Sequence, residues 1–328
     1  MITPLAAQPA ITVRRRFARD ILAILERDTT RSRRLTQAGW AVIHFVHHVL
    51  VSPVQQEGVM TESFPRRSLF DTEERTLFCD ATGREYHLSV ALPETYATSN
   101  QSYPVIYLLD SDIFFGMAAG LTPLSHWCVG TPEAIVVGIG YDMQNYAEWM
   151  DVRGRDFFIP DVVDWMPEDP NFIADRFLTG LTQEIIPFIE TNYRASSFDR
   201  CLYGYSASGF FTLYALFHQP QAFQRYMCGS VMNLAYPYLI QHTERLAARS
   251  ADEPIWLYTS VGELESKQVP SYHQLIDFLR GGNFPCLKLS TEIYPGEYHG
   301  SEGAALTYLH GIRNVYPAPE SLPESALG

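Results

Sequence analysis

One serine of the chain stands in a setting that could make it a nucleophile. The motif Gly204-Tyr205-Ser206-Ala207-Ser208-Gly209 lies between a strand-like segment, Cys201–Tyr203, and a helix-like segment, Gly209–His218. A sharp strand-to-helix turn lifts a serine oxygen clear of a sheet, and it needs small residues nearby because the backbone is crowded there. Gly204 meets this need, whereas Ser208 stands where glycine is usual. The alternative interpretation is a tight turn with an exposed serine.

A serine hydroxyl is a weak nucleophile near neutral pH, so it needs a base that accepts its proton. His299 lies in a loop just after the last predicted strand, and Gly296 and Gly300 give that loop room to turn the imidazole toward Ser206. His273 and His310 fall inside predicted helices, where a structural role is the simpler interpretation. We therefore expect His299 to be the base.

A third group, an acid, should orient the imidazole, and in this kind of site the chain order is serine, acid, histidine. The strand-like segment Ile255–Val261 is followed by two carboxylates, Glu263 and Glu265. Glu265 is favoured because it lies three residues after Gly262, while Glu263 remains the alternative. Either carboxylate could instead be an ordinary surface group.

Two backbone N–H groups should stabilise the oxyanion that forms when a serine attacks a carbonyl. One should come from Ala207, the residue after the nucleophile. The other should come from the loop that follows the strand-like segment Tyr103–Leu109, where Ser111 and Asp112 are the candidates.

Two arginines could hold a substrate carboxylate or phenolate, because a guanidinium binds such groups through paired hydrogen bonds. Arg153 and Arg155 precede an acidic loop that runs to Asp169. The alternative is that they form ion pairs with Asp151 or Asp156.

These segments in combination resemble the putative-esterase family, which includes esterase D-like proteins, siderophore trilactone esterases and mycolyltransferases. The resemblance covers roughly residues 75–316 and rests on four segments: Tyr103–Asp110, Ile185–Tyr193, the elbow at 204–209, and Tyr294–Ser301. It implies an α/β-hydrolase fold, with Ser206, Glu265 and His299 as catalytic triad and no cofactor. Two departures, Ser208 in the elbow and the segment Gly229–Asn233, leave the substrate open.

The rest of the pattern fits the same architecture. Strand-like segments alternate with helix-like ones, which predicts a mostly parallel sheet with helices on both faces. A hairpin, Thr76–Cys79 with Glu85–Leu92, should form its antiparallel edge, and Pro187 should kink or break the helix Phe172–Tyr193. The predicted fold class is therefore α/β.

The composition of the chain excludes several classes of binding partner. The formal net charge of −13 argues against a nucleic-acid partner. No apolar run is long enough for a membrane span. Five cysteines without a C-x-x-C pair predict neither a zinc site nor a disulfide framework, so we expect a reducing compartment and a cytoplasmic location. The expected partner is a small-molecule ester, and no metal is expected.

The first 59 residues differ from the rest. They carry eight arginines, no lysine and four acids, hence +4, which leaves −17 for residues 60–328. We therefore divide the chain into a basic N-terminal extension, 1–59, and an esterase domain, 60–328. The extension could be a helical arm that docks on the acidic body, or translated upstream sequence before a native start at Met60.

The predicted function is hydrolysis of a carboxylic ester through an acyl-enzyme. The rivals are acyl transfer to an alcohol, which uses the same site, and a non-catalytic binding protein on a hydrolase scaffold, which would have lost a member of the triad.

Overall fold

A computed structural model describes residue 69 and residues 71–143, 145–159, 173–231 and 239–317. Within these residues eight strands form one sheet in the order β1-β2-β4-β3-β5-β6-β7-β8. The strands are β1 (Thr72–Cys79), β2 (Arg84–Ala91), β3 (Tyr103–Leu109), β4 (Ile135–Gly140), β5 (Ala195–Tyr205), β6 (Arg225–Gly229), β7 (Ile255–Gly262) and β8 (Leu287–Tyr294). Strand β2 is antiparallel to β1 and to β4, and the other neighbouring strands are parallel.

Helices cover both faces of this sheet. They are α1 (Ser111–Val129), α2 (Tyr146–Phe157), α3 (Ala174–Gly180), α4 (Ile186–Asn192), α5 (Ala207–His218), α6 (Glu244–Ala247), α7 (Gln268–Gly281) and α8 (Ser301–Val315). Helices α1 and α8 share one apolar cluster with the sheet, and α2 to α7 share a second; α7 also packs Tyr272 and Ile276 into a small third cluster with Val261 of β7. The α/β-hydrolase architecture and its antiparallel edge hairpin are therefore as predicted.

The central strand shows why the sequence folds this way. In β3, Val105 and Tyr107 belong to one apolar cluster while Ile106 and Leu108 belong to the other, and all four are fully buried. An unbroken apolar run is typical of a strand covered on both faces. Full burial of an aliphatic side chain of this kind contributes about 1.5–3 kcal/mol to folding. Because the parallel strands run the same way, the loops after β3, β5, β7 and β8 meet at one edge of the sheet.

Two elements, α1 and β6, have no clear pattern in the sequence, and the helical segment that contains Pro187 has an irregularity. Helix α1 contains Gly116, Gly120 and Pro123, which mask its helical pattern. Strand β6 has only five residues, too few for a clear pattern. The helical segment is interrupted beside Pro187, as predicted: a π-helical turn, Leu181–Ile185, separates α3 from α4, and the proline lies in the first turn of α4. The proline is tolerated because the first turn of a helix needs no N–H donor there.

Several predictions fall outside the described residues. These are the basic extension 1–59, the alternative start at Met60, most of the acidic loop after Ile159, and Met232 with Asn233. The division at residue 59 therefore stays a prediction.

Candidate active site

Ser206 lies at the turn between β5 and α5. Its φ of 63° is a left-handed value that residues other than glycine rarely adopt. Neighbouring backbone holds the turn: the Ser206 N–H donates to the Gly229 carbonyl at 2.9 Å, and the Phe210 N–H donates to the Ser206 carbonyl at 3.0 Å. A Cβ on Gly204 would lie 2.2 Å from the Ser208 carbonyl oxygen, so glycine is required there. The local geometry is that of a nucleophile elbow.

The structure brings Ser206, His299 and Glu265 together. His299 Nε2 lies 2.9 Å from Ser206 Oγ, and His299 Nδ1 lies 2.7 Å from Glu265 Oε2. Glu263 has a different contact, because its carboxylate accepts a hydrogen bond from the Gly296 N–H at 2.8 Å. Of the two glutamates considered, Glu265 is therefore the one that contacts the imidazole. His273 is exposed on α7, and His310 pairs with Glu292 at 2.7 Å.

The Glu265 carboxylate is buried and held from three sides. Its Oε1 accepts hydrogen bonds from Ser230 Oγ at 2.5 Å and from the Gly262 N–H at 2.9 Å, while Oε2 faces His299. Burial by itself would raise the pKa of Glu265, but the hydrogen bonds from His299, Ser230 and Gly262 outweigh it and hold the pKa below its ordinary value. The group therefore stays ionised beside the imidazole at neutral pH.

The candidate oxyanion donors lie where helices begin. Ala207 is the first residue of α5 and Ser111 the first residue of α1. N–H groups in a first helical turn lack an acceptor within the helix and carry a partial positive charge, which suits a developing oxyanion. The Asp112 carboxylate accepts a hydrogen bond from the Tyr141 N–H at 3.0 Å and so ties this turn to the loop after β4.

The two arginines both have carboxylate partners. Arg153 is only 5% exposed, and its Nε and Nη2 donate to the two Asp110 oxygens at 2.7 and 2.6 Å. This placement favours an ion pair over substrate binding, and the partner is Asp110 rather than the two aspartates considered from the sequence. Arg155 pairs with Asp151 at 2.8 Å on the surface, one helical turn away. Its role as a substrate ligand stays a prediction.

Sequence reasoning missed three residues that surround the site. Ser230 follows β6 with a left-handed φ of 47° and contacts Glu265. Tyr205 packs its ring against His299 with 5.3 Å between centroids, and its hydroxyl oxygen lies 2.9 Å from Ser230 Oγ. Asp110, directly after β3, contacts both Arg153 and Ser208. A polar residue directly after a buried strand was the available signal for Asp110 and Ser230.

Two further observations concern the described residues only. None of their His, Cys, Asp and Glu side chains form a group of three or more that could hold a metal ion. Among the helices that the structure describes, none has the length and apolar character needed to cross a bilayer.

Comparison with known sequences gives a family match and named relatives. The family model "Putative esterase" matches residues 79–271. The chain is similar to the ferri-bacillibactin esterase BesA of Bacillus subtilis, with 30% identity over 207 residues that cover 59% of this chain and 71% of that protein. It is also similar to the siderophore triacetylfusarinine C esterase of Aspergillus fumigatus, with 30% identity over 156 residues, 45% of this chain and 51% of that protein.

Solved structures support the same fold. The BES protein from Bacillus cereus aligns with a TM-score of 0.69 and 25% identity, over 78% of this chain and 99% of that one. The siderophore hydrolase EstB from Aspergillus nidulans aligns with a TM-score of 0.65 and 21% identity, over 78% of this chain and 100% of that one. At 21% identity, the similarity to EstB concerns the fold alone.

Proposed function

The chain belongs to the Putative esterase family and is a carboxylic-ester hydrolase, and we propose that Ser206, His299 and Glu265 are its catalytic triad. The observation that carries this assignment is the continuous hydrogen-bonded path from Ser206 Oγ through the imidazole to Glu265. The path joins loops after three different strands, at the edge of the sheet where α/β enzymes bind their ligands.

In this proposal each nitrogen of the His299 imidazole has its own role. A carboxylate only accepts hydrogen bonds, so the neutral His299 carries its proton on Nδ1, toward Glu265. Nε2 is then free to accept the Ser206 proton as the oxygen attacks the ester carbonyl. The proposed oxyanion donors are the N–H group of Ala207 and that of Ser111 or Asp112, which belong to the first turns of α5 and α1.

The acyl-enzyme then forms and is hydrolysed, with His299 carrying the proton in each half of the reaction. His299 gives its proton to the leaving alcohol as the tetrahedral intermediate collapses, and the acyl group stays on Ser206. Water then attacks the acyl group, His299 accepts a proton from that water, and the imidazolium returns it to Ser206 as the acid product leaves. Glu265 stabilises the imidazolium in both halves of the reaction.

Single substitutions test the triad. Ser206→Ala and His299→Ala should each lower kcat about 10⁴- to 10⁶-fold without loss of the fold, and the double variant should be no worse than either, because the two residues act as one unit. Near-normal turnover by the folded Ser206→Ala variant would refute the assignment. His273→Ala is the matched control, because that side chain is exposed on α7 and should change kcat little.

We further propose that the ester belongs to a siderophore. This rests on the relatives, two of which are named as esterases of the siderophores bacillibactin and triacetylfusarinine C. A panel of macrocyclic trilactones, aryl esters and short-chain acyl esters tests it, and the trilactones should give the highest kcat/KM. A preference of tenfold or more for a simple aryl or acyl ester would refute the siderophore assignment and leave the triad intact.

The same panel distinguishes hydrolysis from acyl transfer. With an added primary alcohol, a hydrolase should still release mainly the free acid, whereas an acyltransferase should release mainly the new ester.

We also propose a reducing, cytoplasmic location, supported by free cysteines at five positions, four of them buried.

A further inference from the structure

A buried polar cluster lies beside the nucleophile elbow and takes no part in the triad. It consists of Asp110, Arg153 and Ser208, which come from three elements and are each at most 5% exposed. The Arg153 guanidinium holds both Asp110 oxygens, and Ser208 Oγ lies 2.6 Å from Asp110 Oδ2. Isolated buried charges are costly, but here the two charges are opposite and both Asp110 oxygens accept a hydrogen bond from the guanidinium. We call it the Asp110 cluster.

Ser208 gives the elbow a link that glycine cannot make. Its hydroxyl accepts a hydrogen bond from the Tyr205 N–H at 2.9 Å and can donate to Asp110. The positions too crowded for a side chain are Gly204 and Gly209. A Cβ on Gly209 would lie 2.8 Å from the Gly229 carbonyl oxygen. The serine in place of glycine is therefore accommodated, and its side chain joins the elbow to the loop after β3.

Asp110 sets the start of helix α1. Its φ of 56° is left-handed, and its carbonyl accepts the N–H groups of Ile113 and Phe114, both at 3.1 Å. A residue other than glycine in this conformation costs about 1–3 kcal/mol and persists only where its surroundings hold it. The peptides that follow Asp110 carry the Ser111 and Asp112 N–H groups, so the conformation of Asp110 orients the proposed oxyanion donor at the start of α1.

The other proposed donor, the Ala207 N–H, lies one residue before Ser208. The bond between Ser208 and Asp110 thus connects the two short backbone segments that carry the donors. An oxyanion hole works only if both donors lie about 2.7–3.1 Å from the oxyanion, so the separation of the two segments matters.

We propose, on the basis of the triad assignment above, that Ser208 is a positioning residue: through Asp110 it fixes the spacing between the Ala207 donor and the donor at the start of α1, Ser111 or Asp112. Arg153 anchors Asp110 from the other side. Its guanidinium carbon lies 4.4 Å from the centroid of the Trp149 ring and 5.6 Å from that of Phe157, both on α2. Loss of the Ser208 hydroxyl therefore leaves the ion pair in place and removes two hydrogen bonds at the elbow, the one to Asp110 and the one from the Tyr205 N–H.

The test compares Ser208→Ala and Ser208→Gly with the unchanged chain. Both variants should lower kcat about 10- to 100-fold, because small misplacements of catalytic groups cost up to about 10²-fold. KM should stay within about twofold, since the ester carbonyl gains most from the donors only in the transition state. A trifluoromethyl ketone, which forms an oxyanion on the serine, should lose affinity by the same factor as kcat. A plain competitive product acid should not.

The matched control is Thr122→Ala. Thr122 is 3% exposed, and its hydroxyl lies 2.7 Å from the Tyr308 hydroxyl, so it too links two elements from a buried position, but about three helical turns after the start of α1. Its loss should lower the melting temperature and leave kcat unchanged. The glycine variant guards against misfolding of the alanine variant, because glycine is the usual residue at this point of an elbow.

Two results would overturn the proposal. One is a folded Ser208 variant with unchanged kcat and unchanged ketone affinity, which would make the Asp110 cluster purely structural. The other is a rise in KM at constant kcat, which would move its effect to substrate binding. Neither result bears on the triad, which Ser206→Ala tests separately.

Discussion

Replacement of Glu265 by glutamine should trap the imidazole in the wrong tautomer. The Glu265 Oε1 position receives two donors, Ser230 Oγ and the Gly262 N–H. In Glu265→Gln the amide oxygen must take that position, because the amide NH₂ group would oppose both donors. The NH₂ group then points at His299 Nδ1, which has to act as an acceptor. The imidazole proton moves to Nε2, where the Ser206 proton should be received.

The magnitude follows from this tautomer. The equivalent change in the Ser-His-Asp proteases keeps the geometry and lowers kcat about 10⁴-fold, which corresponds to about 5.5 kcal/mol of barrier. We expect a loss of the same order here, because the two donors at Oε1 leave the amide no second orientation. Glu263→Gln is the matched control. Glu263 is exposed and accepts one N–H, which an amide oxygen can also accept, so its kcat should be nearly unchanged.

The assay is release of an aryl alcohol at pH 7 to 8, with melting temperatures of both variants to verify the fold. A folded Glu265→Gln variant within tenfold of the unchanged chain would refute the tautomer argument. Equal and minor losses in both variants would mean that neither glutamate orients His299.

Three further predictions concern the network, stability and the N-terminal region. Ser230→Ala should lower kcat about tenfold or more, because a hydrogen bond to a charged group contributes about 1.5–3 kcal/mol, and steady-state kinetics measures this. In the folded protein the pKa of Glu265 lies below its ordinary value of 4.5. The ionised Glu265 therefore contributes its full stabilisation of the fold above pH 4.5, and this contribution is lost as the pH falls through the pKa of the folded state. Melting curves from pH 7 to 3 should therefore fall more steeply for the unchanged chain than for Glu265→Gln, and parallel curves would contradict this. A chain that begins at Met60 should keep its melting temperature and kcat/KM, whereas a large drop in kcat/KM alone would make the extension part of the site.

The sequence allowed good prediction of those elements whose local pattern is strong. Strand β3 has the predicted bounds, Tyr103–Leu109, because an apolar run between polar turns admits few alternatives. Helix α1 was missed because Gly116, Gly120 and Pro123 lower its helical propensity, while packing of the helix against the sheet stabilises it nonetheless.

Contacts between residues far apart in the sequence could not be predicted from local sequence patterns. The three residues of the triad could be proposed because each lies next to a strand end, and strand ends meet at one edge. The Asp110 cluster joins residues separated by 43 and 98 positions, and no spacing rule connects them. For Arg153 the sequence leaves two alternatives open, a substrate ligand or an ion pair with Asp151 or Asp156, because an arginine in an acidic region has many available partners. Only the inward orientation of α2 shows that its partner is Asp110.

The central claim, that Ser206 is the nucleophile, is tested most directly by covalent labelling. A fluorophosphonate reacts with an activated serine, and mass spectrometry of the digested protein locates the adduct. We predict one adduct, on Ser206, formed in parallel with the loss of esterase activity and absent from Ser206→Ala. An adduct on another serine that forms in step with inactivation, or full activity after Ser206 is modified, would contradict the account.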